Sequence, residues 1–201
     1  MYRLLLIKLI LFLNFKAKSQ DCNCNREDGI SFIHVSKKSD LIIEARVLEY
    51  PGFDSLKSIE PGEMKVEIIE RLKGESVSRQ VTVLGSAFNN CYDWLFQYKI
   101  GKTYILALNK FNSDSATYVL HSCGNHSLTK KGNTITGVVS KEPTKTFRKS
   151  YGKLLEKLSK LPYDEKNKDN RDEIRKKLDE MYLTLTESIS FSSLRKIILD
   201  K

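Results

Sequence analysis

Apolar positions along residues 40–139 recur in short runs rich in β-branched and aromatic side chains. The runs "LIIEARVLEY" (Leu41–Tyr50), "MKVEIIERL" (Met64–Leu72), "QVTVLG" (Gln80–Gly85), "TYILALN" (Thr103–Asn109) and "ATYVLHS" (Ala116–Ser122) each predict a strand. Turn chemistry separates them, at Pro51-Gly52, Pro61-Gly62, Lys73-Gly74, Gly101 and Asn112-Ser113-Asp114. Five strands at this spacing suggest a small barrel or sandwich. "ISFIHVSKKS" (Ile30–Ser39) reads as a short helical or turning lead-in, and "TITGVV" (Thr134–Val139) as a sixth strand.

After Glu142 the period changes. Phe147, Tyr151, Leu154, Leu158 and Leu161 fall on one helical face, and Ile174, Leu178, Met181 and Leu185 repeat the spacing beyond the polar break "PYDEKNKDN". The two stripes predict a helical hairpin that packs on itself or on the strands. A basic amphipathic surface for a membrane or a partner is the other reading of the same helices.

At the N-terminus, "MYRLLLIKLILFLNFKAKS" has an early Arg3, an apolar run and no acid. That run is shorter than the roughly 20 residues a bilayer span needs and fits a signal peptide. Ala17 and Ser19 supply the small residues for cleavage before Gln20. The expected product is secreted, extracellular or periplasmic. The expected division is 1–19 signal peptide, 20–139 strand-rich domain and 140–201 helical C-terminal extension.

Composition changes this picture little: 40% hydrophobic and 29% charged residues in 201 suit a folded chain. Charge distribution matters more. Of the net +9, four charges sit in the first 19 residues; 20–139 hold 14 basic and 14 acidic residues, and 140–201 hold 16 and 11. The central domain therefore offers no footprint for a nucleic-acid backbone. No phosphate loop, catalytic triad or carboxylate pair stands out, so no enzyme and no cofactor are expected. "HSCGNH" (His121–His126) has the residue types of a zinc site, but in an oxidising compartment its cysteine is expected in a disulfide. His34 has no evident partner, and Asn125-His126-Ser127 matches a glycosylation sequon.

The four cysteines are Cys22, Cys24, Cys91 and Cys123. Four cysteines allow three pairings. Bonding Cys22 to Cys24 would close a very small, strained ring. Each is then expected to reach Cys91 or Cys123, pinning a short N-terminal segment to the strands at two neighbouring points.

These cysteines come with further motifs: "FIHVSKKSDLIIEARVLE" after the Cys-x-Cys, "RLKG", a cysteine beyond the next strand, "GKTYILALN" and the closing "YVLHSCGN". Together, over about residues 22–125, they resemble the netrin-like domain of the tissue inhibitors of metalloproteinases. The resemblance implies a mainly β fold, a five-stranded OB-type Greek-key barrel, here with an α-helical hairpin appended. It implies the pairs Cys22–Cys91 and Cys24–Cys123, which in the chain-entropy model would contribute roughly 4–5 kcal/mol each. It also implies an inhibitory edge. Cys22 would chelate a protease's zinc through its amino group and carbonyl, Asn23 would enter the specificity pocket, and Cys24, Asn25, Phe88, Asn89 and Asn90 would flank them. The implied partner is a zinc metalloprotease, or otherwise an extracellular or envelope protein; the chain itself holds no metal. Two features depart from the family. Gln20 and Asp21 precede Cys22 if cleavage falls before Gln20, and a third disulfide and a cysteine-rich C-terminal domain are missing.

Overall fold

A computed structural model describes residues 30–54, 56, 60–75, 78–87, 91–112 and 116–200. The expected signal peptide 1–19 lies outside the described residues, as do Cys22, Asn23, Cys24, Asn25, Phe88, Asn89 and Asn90.

The chain is mainly β, with a closed five-stranded barrel, further strands and four helices among the described residues. Helix α1 (Phe32–Lys38) leads into β1 (Leu41–Glu49), β2 (Glu63–Lys73), β3 (Gln80–Leu84), β4 (Thr103–Lys110) and β5 (Thr117–Val119). Strand β1 pairs antiparallel with both β2 and β4, β2 with β3, and β4 with β5, while β3 and β5 run parallel. The order β1-β2-β3-β5-β4 therefore returns to β1 and closes. Three register shifts between β1 and β2 supply the local bending that closure needs.

Strand β1 explains why its sequence barely alternates. Leu41, Ile43, Ala45 and Val47 point into the barrel, where they meet Met64, Val66, Val83, Leu106 and Leu108. Ile42 points the other way, into a second core with Phe32, Val35, Ile105, Ala107, Leu128, Ile135, Val139 and Leu194. Strand β4 is shared in the same manner, with Tyr104, Leu106 and Leu108 inside and Ile105 and Ala107 outside. A strand buried on both faces reads as a continuous apolar run.

The second core is roofed by α1, the hairpin β6 (Ser127–Lys131) and β7 (Thr134–Gly137), and the chain's last elements. The hairpin turns on Gly132-Asn133, with only the glycine at positive φ (+59°), the pattern of a type II′ turn. Helices α2 (Lys145–Lys160) and α3 (Lys168–Leu183) form the expected helical hairpin. Part of the expected C-terminal extension is nevertheless built into the body. Strand β8 (Glu187–Ser190) extends the sheet by pairing with β7, and α4 (Phe191–Leu199) buries Leu194 in the second core. Two ion pairs fix this return. Lys130 bonds Glu44 on β1 at 2.6 Å and stacks over the Phe191 ring, and Arg195 bonds Glu70 on β2 at 3.2 Å.

The "RLKG" motif has a structural task. Lys73 Nζ donates to the carbonyls of Ser36, Lys37 and Ser39, satisfying the C-terminal end of α1 and complementing its dipole. Gly74 follows at φ +79°, and a Cβ there would stand 2.0 Å from the Asp40 carbonyl oxygen. Gly74→Ala thus combines left-handed strain with a backbone clash, whereas Gly132→Ala meets open space. The expected losses in urea denaturation are about 1–2 kcal/mol for Gly132→Ala, and at least about 3 kcal/mol for Gly74→Ala because backbone must move. Equal losses would contradict this packing.

Candidate functional site

The end of the barrel that carries both described cysteines is assembled by main-chain bonds. Tyr92 and His121 form an isolated antiparallel bridge, Ser122 N–H donates to the Cys91 carbonyl at 2.9 Å, and Asp93 N–H donates to Leu120 at 2.7 Å. Cys91 and Cys123 therefore lie on adjoining segments, and both are disulfide-bonded. Among the described residues there is no free thiol. Their expected pairing with Cys22 and Cys24 falls outside the described residues.

Asp93 shapes the segment just beyond Cys91. Its carboxylate accepts from the Trp94 N–H at 2.9 Å, the Gln97 side-chain amide at 2.7 Å and the Tyr98 hydroxyl at 2.7 Å. These bonds wind Leu95–Gln97 into a 3-10 turn. Leu95 and Tyr98 are driven into the barrel core, and the residues between and before them turn outward: Trp94 is 56% exposed and Phe96 41%. Phe96 meets Phe53 edge-on at 5.3 Å and Trp94 at 6.4 Å, forming an exposed aromatic ridge beside Cys91. Burial, reinforced by the Asp93 charge, pushes the Tyr98 phenol well above its ordinary value. Burial also pushes Tyr50 up to about 12; its hydroxyl donates to the main chain of the same turn.

The histidines of "HSCGNH" are occupied otherwise than as ligands. His126 Nδ1 faces the Ala107 carbonyl at 3.1 Å and Nε2 the Cys123 carbonyl at 3.0 Å. Burial lowers its pKa, outweighing those two carbonyls, so the neutral ring donates to one of them at a time. His121 stacks edge-on against Tyr92 and is also lowered by burial. Among the described residues no group of three or more His, Cys, Asp and Glu side chains is placed to hold a metal. The sequon's Asn125 is committed as well: its amide donates to the Ile30 carbonyl at 2.8 Å and accepts from the Tyr182 hydroxyl.

Beside this end lies a cleft of about 920 Å³ between α1, residues 121–126 and α2. Val35, Phe147, Tyr151, Leu155 and Leu185 give it a mainly apolar lining. Two polar atoms of lining residues, His34 Nε2 and Asn109 Oδ1, are shielded from solvent without a hydrogen-bond partner. Sequence reasoning missed both the cleft and the Asp93-centred turn. Asp93 had a local signal, since an acid followed at four and five residues by Gln97 and Tyr98 can close such a turn.

Two carboxylates clasp distant parts of the chain together. Glu142 accepts from Ile30 N–H (2.7 Å) and Ser31 N–H (2.9 Å), and Val138 and Val139 carbonyls take the next two N–H groups of α1. With Ser31 Oγ capping His34 N–H, the helix's orphan donors are accounted for. Glu187 accepts likewise from Ser140 and Lys141 N–H. No family model matches the chain, and no curated protein matches it.

Burial opposes ionisation of both glutamates, but the hydrogen bonds they accept win and hold each pKa below the usual 4.5. A depressed folded-state pKa stabilises above the unfolded value and loses that contribution as pH falls through the folded one. The double variant Glu142→Gln/Glu187→Gln is expected to lose about 1 kcal/mol per site at pH 7. Its urea midpoint should then fall less than wild type's between pH 5 and pH 3. A parallel fall would show that the clasps carry no such linkage.

Proposed function

We propose that this chain is a secreted, non-enzymatic binding module of the kind resembled by the metalloproteinase inhibitors, working through the cysteine-bearing end of its barrel. The observation that carries the reading is the placing of Cys91 and Cys123, both disulfide-bonded, on adjoining segments beside the exposed Trp94 and Phe96. Rigid aromatic side chains on a covalently fixed platform suit recognition, because little entropy is lost when they dock. The strand order, with β3 parallel to β5, supports an OB-type Greek-key barrel.

The polar groups at this end favour binding over chemistry. Asp93, Tyr98 and Ser127 are engaged with one another, and a phenol with so high a pKa is a poor acid or base near neutrality. Inhibition of a zinc metalloprotease is the sharper form of the proposal. Cys22 would supply amine and carbonyl to the protease's zinc, Asn23 would fill its pocket, and Cys24, Asn25 and Phe88–Asn90 would form the surrounding edge. A free amine is required for this chelation. The broader form, an extracellular or envelope scaffold module, needs only the platform and its ridge.

Mass spectrometry of the mature N-terminus, combined with disulfide mapping and an inhibition assay against zinc metalloproteases, separates the two. A chain beginning at Cys22, bonded Cys22–Cys91 and Cys24–Cys123 and inhibiting stoichiometrically, is the outcome expected for the sharper form. A chain beginning at Gln20 removes the chelating amine and leaves the scaffold form. A map lacking both pairs would overturn the reading altogether. For either form, Trp94→Ala/Phe96→Ala is expected to leave the melting temperature within a few degrees and to weaken partner binding at least tenfold.

A further inference from the structure

Helix α2 is unusual for an element with so clear an apolar stripe: none of its residues is buried. Its packing is with α3, and a gap separates its other apolar side from α1 and the 121–126 segment. Phe147, Tyr151 and Leu155, spaced four apart, line that gap together with Arg148 and Gly152 on the same face. Leu155 remains 45% exposed.

Gly152 is the telling residue. It sits mid-helix, where glycine is roughly 0.5–1 kcal/mol worse than alanine. Its backbone is not in the left-handed region, and a Cβ built on it meets nothing within 4 Å. Neither conformation nor crowding accounts for a glycine there. Gly152 is itself exposed and leaves open a space that no described side chain fills. His34 Nε2 and Asn109 Oδ1, shielded from solvent and without a hydrogen-bond partner, belong to residues of the same wall.

The rim decides what fits. Lys38, Arg148 and Lys149 line the cleft with one lining acid, Glu156; Arg148 is shared with Glu142 at 3.9 Å, and α2 as a whole carries six basic residues to one acidic. The volume falls within the range of small-molecule sites, roughly 300–1,000 Å³. We infer that the cleft between α1 and α2 binds a monomeric single-chain anionic amphiphile of the long-chain fatty-acid class. Its chain lies along Phe147, Tyr151, Gly152 and Leu155, and its carboxylate sits at the Lys38–Lys149 rim. This site is separate from the proposed partner-docking ridge and does not rest on that reading.

The test uses the full oxidised chain and cis-parinaric acid, a fluorescent fatty acid, below its micelle-forming concentration. Saturable 1:1 binding is expected, displaced by oleate and at least tenfold less well by oleyl alcohol. Gly152→Leu, which fills the space, should weaken binding at least tenfold with an unchanged or higher melting temperature. Gly152→Ala should raise the melting temperature and weaken binding less, and it reports if the leucine variant does not fold. Lys149→Glu should weaken binding several-fold. Absence of saturable binding to wild type would overturn the inference, as would undiminished binding to folded Gly152→Leu. Equal displacement by oleyl alcohol would overturn the anionic class. Concentration-dependent dimerisation abolished by Gly152→Leu, without probe binding, would instead assign the cleft to a second copy of the chain.

Discussion

Burial of β1 and β4 on both faces is the constraint on which the remaining structure depends. One face of each fills the barrel, and the other would expose Ile42, Ile105 and Ala107 to water if nothing covered it. At about 25 cal/mol per Å² such apolar exposure is strongly unfavourable. The cover is drawn from distant parts of the chain: α1 before the barrel, the β6–β7 hairpin after it, and α4 at the very end. The barrel thus requires residues 187–199 to pack back onto it. The charged side chains at the seam obey the same logic, since Glu44, facing outward from β1 and 6% exposed, is matched by Lys130.

Double-sided burial also explains which parts of the fold were legible. "LIIEARV" and "YILAL" announce themselves as strands because nearly every position is apolar, and the Pro-Gly and Lys-Gly turns mark their ends. Strand β5 is shorter than its apolar run predicts, Thr117–Val119, because its continuation breaks off to bridge Tyr92. Strands β6 and β8 lack such a signal. "ESIS" carries one apolar residue in four and owes its state to pairing with β7 some fifty residues earlier, a non-local cause that propensity does not encode. The Gly132-Asn133 turn is the available sign that the expected strand at 134 has a partner just before it.

The site was legible in chemistry and not in geometry. Four cysteines in a chain with a signal-like start point to disulfides, and Cys91 and Cys123 are disulfide-bonded. The spacing of Asp93, Gln97 and Tyr98 can signal a turn, but not that Trp94 and Phe96 face outward, because that depends on Tyr98 being buried in the barrel core. Periodicity likewise identifies the apolar stripe of α2 without saying what it faces. Packing is the natural expectation, yet Phe147 and Tyr151 line an open cleft. The clasps at Glu142 and Glu187 link residues more than 40 apart and leave no local trace.

The fold implies a graded stability: a barrel and outer core that open only together, and a cleft wall, α2, held mainly by its neighbour helix. Native-state hydrogen exchange on the oxidised chain tests this most directly. Exchange is expected to be slowest in β1 and β4, with matching protection in β8 and α4 within a few-fold of the hairpin they cover, and faster in α2 by at least a hundredfold. Protection of α2 equal to that of β1, or fraying of β8 and α4 independently of the barrel, would contradict it.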